Sequence, residues 1–141
     1  MRVIYQTGTR GWLLLPAAIL VLSGLAAGCS SSKPAYCTDA ANLKTSVSNL
    51  GNVNVAKNGL GSLQTALSSV QTDANASATD AKSAYPSQTT ALQNSLSSLN
   101  AAIKSAKGQP PLTAAAAVVP AVAQVKTSAG AVQSAVSGTC Q

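Results

Sequence analysis

The sequence contains no histidine, no glutamate and no phenylalanine. Both arginines, Arg2 and Arg10, and the single tryptophan, Trp12, lie within the first 12 residues. The rest of the chain therefore lacks the usual general bases, most zinc ligands and the guanidinium groups that hold oxyanions. These absences argue against most enzyme classes, so we expect a non-catalytic protein with no metal and no cofactor.

Charge and aromatic side chains are also scarce, at 9% and 3% of the residues. Beyond residue 28 the chain carries seven lysines and three aspartates, a formal charge of +4. Without arginine forks, stacking aromatics or a basic cluster, this charge does not indicate a nucleic-acid-binding protein. It is mildly attractive to anionic lipid headgroups or acidic wall polymers.

The N-terminal segment has the layout of a secretory signal. Arg2 and Arg10 precede an apolar stretch of 14 residues, Trp12 to Leu25, and three small residues follow it. That stretch is shorter than the roughly 20 residues that span a bilayer, so a retained transmembrane helix is the weaker interpretation. We expect residues 1–28 to be a signal peptide.

The run Leu25-Ala26-Ala27-Gly28-Cys29 resembles the lipobox of bacterial lipoproteins. The resemblance implies that the Cys29 thiol is diacylglycerated and that the chain is cut between Gly28 and Cys29. Ordinary signal cleavage near Gly28, with an unmodified Cys29, is the alternative. The polar residues from Ser30 to Pro34 fit a flexible tether.

The expected organisation follows from this site: a signal peptide over 1–28, a lipidated, Ser-rich tether over 29–36 and a helical domain over 37–141. The lipid on Cys29 would hold the protein on the extracytoplasmic face of the cell membrane. Removing Cys29 from the three cysteines leaves Cys37 and Cys140, a pair available for a disulfide outside the cytoplasm. Two free thiols, or pairing between chains, are the alternatives.

Four segments of the exported part place apolar or small residues three and four positions apart, the spacing of one face of a helix. Because alanine has the highest helix propensity and aromatics are few, close-packed helices are favoured. The four stripes are Tyr36, Ala40, Leu43, Val47 and Leu50; Leu60, Leu63, Leu67, Val70, Ala74 and Ala81, interrupted by Ser77; Leu92, Leu96, Leu99, Ile103 and Ala106; and Ala115, Val118, Val122, Val125, Ala129, Val132 and Val136.

The ends of these helices have local signals. Thr38 or Asp39 is expected to cap the first helix and Ser87 the third. The residue before Pro86 is a predicted boundary, because proline disfavours a helical conformation in its predecessor. Pro120 lies inside the fourth stripe and predicts a kink or a restart there.

Four helices with short connections predict an all-α, antiparallel four-helix bundle. In such a bundle the start of the first helix and the end of the last lie at the same end, where Cys37 and Cys140 would meet. Three helices would separate them by roughly 30 Å, beyond the Cα distance of about 7 Å that a disulfide permits. The bundle and the disulfide therefore support each other.

A few residues invite a chemical interpretation, and each has a plainer alternative. Asp73 and Asp80 can share a helical face, but two carboxylates make a poor calcium site. The run Ser30-Ser31-Ser32-Lys33 matches the Ser-x-x-Lys motif of penicillin-binding enzymes by coincidence, because it lies in the tether. Residues 114–119, followed by Pro120, form either an apolar groove for a peptide or acyl chain or part of the core. Tyr85 is expected to be a packing residue.

The whole layout looks like the small helical lipoproteins of high-GC Gram-positive (actinobacterial) bacteria. The resemblance rests on the lipobox, the Ser tether, a cysteine near each end of the exported part and the Leu50-x-x-Val53-x-Val55 pattern. It implies a location and no mechanism. The leading hypothesis is a binding or spacer module of the cell envelope that contacts an envelope protein or wall polymer. The alternative is a carrier of a small apolar ligand or acyl chain between the helices.

Overall fold

Four α-helices account for most of the residues that the computed structural model describes, residues 33–141. They are α1 (Ala35–Gly51), α2 (Val55–Ala81), α3 (Pro86–Ala106) and α4 (Pro111–Ser137), and no strand occurs in this part of the chain. The all-α prediction is confirmed. The predicted signal peptide and the lipidation site at Cys29 lie outside the described residues.

Two of the helix starts use proline. Pro86 and Pro111 each occupy the first turn of their helix, where a missing N–H costs nothing and the fixed φ angle is already helical. The predicted cap at Ser87 is therefore wrong, because α3 begins one residue earlier and its N-cap is Tyr85.

The predicted cap of the first helix is also wrong, because α1 begins at Ala35 and contains both Thr38 and Asp39. The carbonyl of Pro34 accepts a hydrogen bond from the N–H of Cys37 at 2.9 Å, so a backbone group starts this helix. Asn54 is a side-chain cap: its carbonyl oxygen accepts from the N–H of Lys57 at 3.0 Å.

Glycine and proline shape two of the helices internally. Gly59 has a φ of 75°, which breaks α2 after its first turn and leaves a long second part that begins at Leu60. In contrast, α4 continues through Pro120 as one helix, so the predicted restart does not occur. Pro120 has no N–H to donate to the carbonyl of Ala116, four residues earlier. Because Ala116 is exposed, the missing hydrogen bond lies on the solvent-facing side of the helix.

The helices form an antiparallel bundle in which each packs against its neighbours in the chain and α4 closes the ring against α1. α2 and α4 also contact each other across the bundle, whereas α1 and α3 lie at opposite corners. We call the end that holds the start of α1, the end of α2, the start of α3 and the end of α4 the disulfide end. The opposite end is the far end.

The disulfide joins Cys37 in α1 to Cys140 just beyond α4, with their Cα atoms 5.5 Å apart. This confirms the predicted pairing and the even number of helices. Lys33 adds a polar contact at the same place, since its ammonium donates to the carbonyl of Cys140 at 2.9 Å. The entry of the chain into the bundle is thus held against its C-terminus.

The core is aliphatic and fills the space between the helices. Three of the four predicted stripes are buried as expected, apart from a half-buried Tyr36 and Leu60. In α4, however, Ala114 and Ala121 are buried in place of Ala115 and Val122, which are half-buried. The fully buried side chains with the largest volumes include Leu43, Leu50, Leu63, Val70, Leu92, Leu99, Ile103, Val118, Val125 and Val132.

Ser77, the residue that interrupts the second stripe, is buried in the core. Its side chain is 1% exposed, and its hydroxyl has no hydrogen-bond partner. Ser95 shows the usual arrangement, because its hydroxyl bonds to the carbonyl of Ala91 at 2.9 Å and lies 2.7 Å from the hydroxyl of Ser128 in α4. A buried hydroxyl without a partner opposes folding, so Ser77 weakens the bundle where it stands.

Candidate functional site

The disulfide end contains the aromatic contacts. Tyr36 and Tyr85 meet edge to face, with ring centroids 6.0 Å apart and an angle of 85° between the rings. The hydroxyl of Tyr85 lies 3.1 Å from that of Thr139, so the turn between α2 and α3 is tied to the C-terminus. These contacts agree with the predicted packing role of Tyr85.

All three aspartates that follow the tether lie in this half of the bundle. Partial burial of Asp39 and the nearby carboxylates of Asp80 and Asp73 raise the pKa of Asp39. Within residues 33–141, no three acidic, cysteine or histidine side chains are arranged to hold a metal ion. Of the Ser-x-x-Lys run, only Lys33 is described, and it contacts the carbonyl of Cys140 instead of a nucleophile.

The raised pKa of Asp39 predicts an unusual dependence of stability on pH. The folded state holds the Asp39 proton more tightly than the unfolded chain does. Binding of this proton therefore adds to the free energy of unfolding, fully below about pH 4, and this addition is lost as the pH rises through the folded-state pKa. Asp39→Asn is therefore expected to raise the melting temperature at pH 7 and to leave it nearly unchanged at pH 3.

Thermal denaturation by circular dichroism from pH 3 to pH 7 checks this prediction. Asp73→Asn is the matched control, because Asp73 makes the smallest contribution to the shift and its replacement should change the profile least. A lower melting temperature of the Asp39→Asn variant at pH 7 would show that the carboxylate stabilises the native bundle.

The far end contains a groove that results from unequal helix lengths. α1 has 17 residues and α4 has 27, which at about 1.5 Å per residue gives lengths of about 25 Å and 40 Å. Because the disulfide aligns the start of α1 with the end of α4, the first half of α4 extends beyond the end of α1. The connection from α1 to α2 covers this part only partly, and for this reason Ala115 and Val122 remain half-buried.

The groove has hydrocarbon walls and one charged group. Its volume is about 240 Å³, and its apolar lining includes Leu50, Val53, Val55, Leu63, Val118 and Val122. Lys126 is the charged lining residue. Its Cδ and Nζ atoms lie 3.4 and 3.7 Å from the position that a Cβ on Gly51 would occupy, which places the ammonium at the end of α1. A cation is favourable there because it opposes the helix dipole.

The outer face of α4 beside the groove is also apolar. Leu112 is 77% exposed and Val119 is 62% exposed, and Ala116 and Ala123 face solvent between and beyond them. By length and composition alone, α4 would be able to cross a membrane, and this follows from apolar residues on both its faces. Of the predicted segment 114–119, Ala114 belongs to the core, Val118 belongs to the core and also lines the groove, and Val119 lines the groove at an exposed position.

Sequence reasoning did not find the other wall of this groove. The pattern Leu50-x-x-Val53-x-Val55 does not indicate that Val53 and Val55 line a groove, and no sequence pattern singles out Lys126. One sequence feature does indicate the groove: the first stripe, which ends at Leu50, is shorter than the fourth stripe, which runs from Ala115 to Val136. The difference in length indicates that part of α4 has no α1 beside it.

No protein-family model matches this chain, and neither a curated protein nor a solved structure shows significant similarity to it.

Proposed function

We propose that this protein is a lipoprotein, attached through Cys29 to the extracytoplasmic face of the cell membrane, whose bundle serves as a non-catalytic binding or spacer module of the envelope. The observation that carries the proposal is the lipobox-like run Leu25–Cys29, which follows an apolar segment and precedes a polar tether. The Cys37–Cys140 disulfide supports it, because such bonds persist in oxidising compartments and the pairing leaves Cys29 as the odd cysteine.

The direction of the bundle supports a spacer role. The chain enters at the disulfide end, and the stretch from Cys29 to Lys33 spans at most about 14 Å when fully extended. An anchored bundle standing away from the bilayer would present its far end about 40 Å beyond that point. At this distance from the bilayer, the far end would contact an envelope protein or an acidic wall polymer.

Replacing the lipid-bearing residue tests the anchor. Cys29→Ser is expected to lack the acyl chains and, once its signal peptide has been removed, to move from the membrane fraction to the soluble fraction, because two or more acyl chains are needed for stable attachment. Ser30→Ala is the control and should remain in the membrane fraction. Intact mass measurement of the native protein should show the added acyl chains. A native protein with the mass of the bare polypeptide, or one that washes freely off cells, would overturn the proposal.

A second candidate function, a carrier of a small apolar ligand, is favoured by the groove at the far end. Ligand pockets are generally concave and mostly apolar with few polar groups, and the groove has this composition. Native mass spectrometry of the protein purified from its own membrane tests this candidate. A bound small molecule is the expected result, and a protein that is always empty would count against it.

A further inference from the structure

We propose that the far-end groove binds one anionic amphiphile of a single hydrocarbon chain, with the chain against the valine walls and the acidic headgroup paired with the Lys126 ammonium. The inference rests on the carrier function above and specifies its ligand. The carrier candidate alone requires only an apolar molecule, whereas this proposal requires a negative charge at one end.

The walls of the groove select hydrocarbon over peptide. Apart from Gly51 and Lys126, the lining residues are leucine, valine and alanine. A peptide laid in the groove would bring amide N–H and C=O groups against these side chains, and burying such groups without partners costs free energy. A methylene chain has no such groups and gains from every apolar contact.

The size and depth of the groove select a single chain. Its volume of about 240 Å³ is below the roughly 300–1,000 Å³ of drug-sized ligand sites, so one hydrocarbon chain fits better than two. Leu63 and Val118 in its floor are each 1% exposed, so the surface open to a ligand lies mainly on Val53, Val119 and Val122.

The charge distribution selects an anion. Lys57 lies in the first turn of α2, Lys104 and Lys107 lie at the end of α3, and Lys126 lines the groove, whereas all three described aspartates lie towards the disulfide end. The far end therefore has a positive potential that favours an anionic headgroup. The same potential opposes a second copy of this chain as the occupant, because two far ends repel each other.

The probe is dodecanoate below its micellar concentration, titrated into the proposed mature chain, residues 29–141, carrying Cys29→Ser. Valine and leucine methyl groups are followed by NMR. The expected result is saturable shifts at Val53, Val55 and Val122, with little change at Val132, which lies in the core towards the disulfide end. Dodecanol, which has the same chain without the charge, is the comparison ligand and should bind more weakly.

Three variants test the proposed contacts, two for the headgroup and one for the hydrocarbon chain. Lys126→Met keeps the length of the side chain and is expected to weaken dodecanoate binding about fivefold, with no change for dodecanol, as for a partly exposed ion pair. Lys104→Met removes a far-end lysine outside the groove and should have little effect on either ligand. Val119→Asp, at an exposed rim position, should weaken both ligands because it places a charge beside the hydrocarbon chain.

The outcomes distinguish this inference from the carrier function. Equal binding of dodecanol and dodecanoate, with no effect of Lys126→Met, would overturn the anionic ligand and leave the carrier. The absence of shifts with both ligands would overturn both. Shifts at the groove with vesicles containing anionic lipid, but not with monomeric dodecanoate, would show that a membrane surface is recognised and would also overturn the inference.

Discussion

Reduction of the Cys37–Cys140 disulfide is expected to lower the free energy of unfolding by about 4 kcal/mol. The bond joins residues 103 positions apart in the sequence, so its loss allows the unfolded chain many more conformations. Small domains have a free energy of unfolding of roughly 5–15 kcal/mol, so the reduced bundle loses a large part of it.

Thermal unfolding measures this effect. For a domain of this size each kcal/mol corresponds to about 4–8 °C, so the melting temperature should fall by roughly 15–30 °C on reduction. The double variant Cys37→Ala with Cys140→Ala should melt near the reduced protein and should not respond to the reductant. A decrease of only a few degrees would show that the unfolded chain is already restricted by other means.

The second large effect is expected for Leu99→Ala in α3. Leu99 is fully buried and belongs to the central aliphatic cluster. Removing its isobutyl group loses apolar contacts and leaves a cavity, for which buried leucines cost about 2–5 kcal/mol. With so few aromatic side chains, the core has no large neighbour to move into the space.

Leu112→Ala in α4 is a matched control, because the same atoms are removed from a side chain that is 77% exposed. Its effect should stay within about 0.5 kcal/mol. Urea denaturation of the two variants beside the native protein makes the comparison. A cost at Leu112 similar to that at Leu99 would indicate that the outer face of α4 is covered in solution.

Much of the bundle was predictable because helical periodicity is a local property. The stripe from Leu92 to Ala106 is buried as predicted, and the residue before Pro86 is the N-cap of α3. The cap predictions at Thr38, Asp39 and Ser87 failed because α1 and α3 begin without a side-chain cap. In both cases a neighbouring proline or its carbonyl was used instead.

The candidate site was less predictable because it depends on residues far apart in the sequence. Val53 and Val55 contribute to a groove only because α4 extends past the end of α1. The burial of Ser77 and the closeness of Asp39 to Asp80 are likewise results of packing between helices. The apolar stripe of one helix does not indicate how that helix is positioned lengthwise against its neighbours.

From residue 33 onwards, the amino-acid sequence alone predicts four helices with aliphatic buried faces, because backbone preference and side-chain spacing act within a few residues, and it favours a meeting of Cys37 and Cys140 at one end. The alignment of the helices along one another, the exposed face of α4 and the groove with Lys126 at its edge depend on how the four helices pack. These features follow from packing several helices of unequal length around one core, and no single segment contains that information.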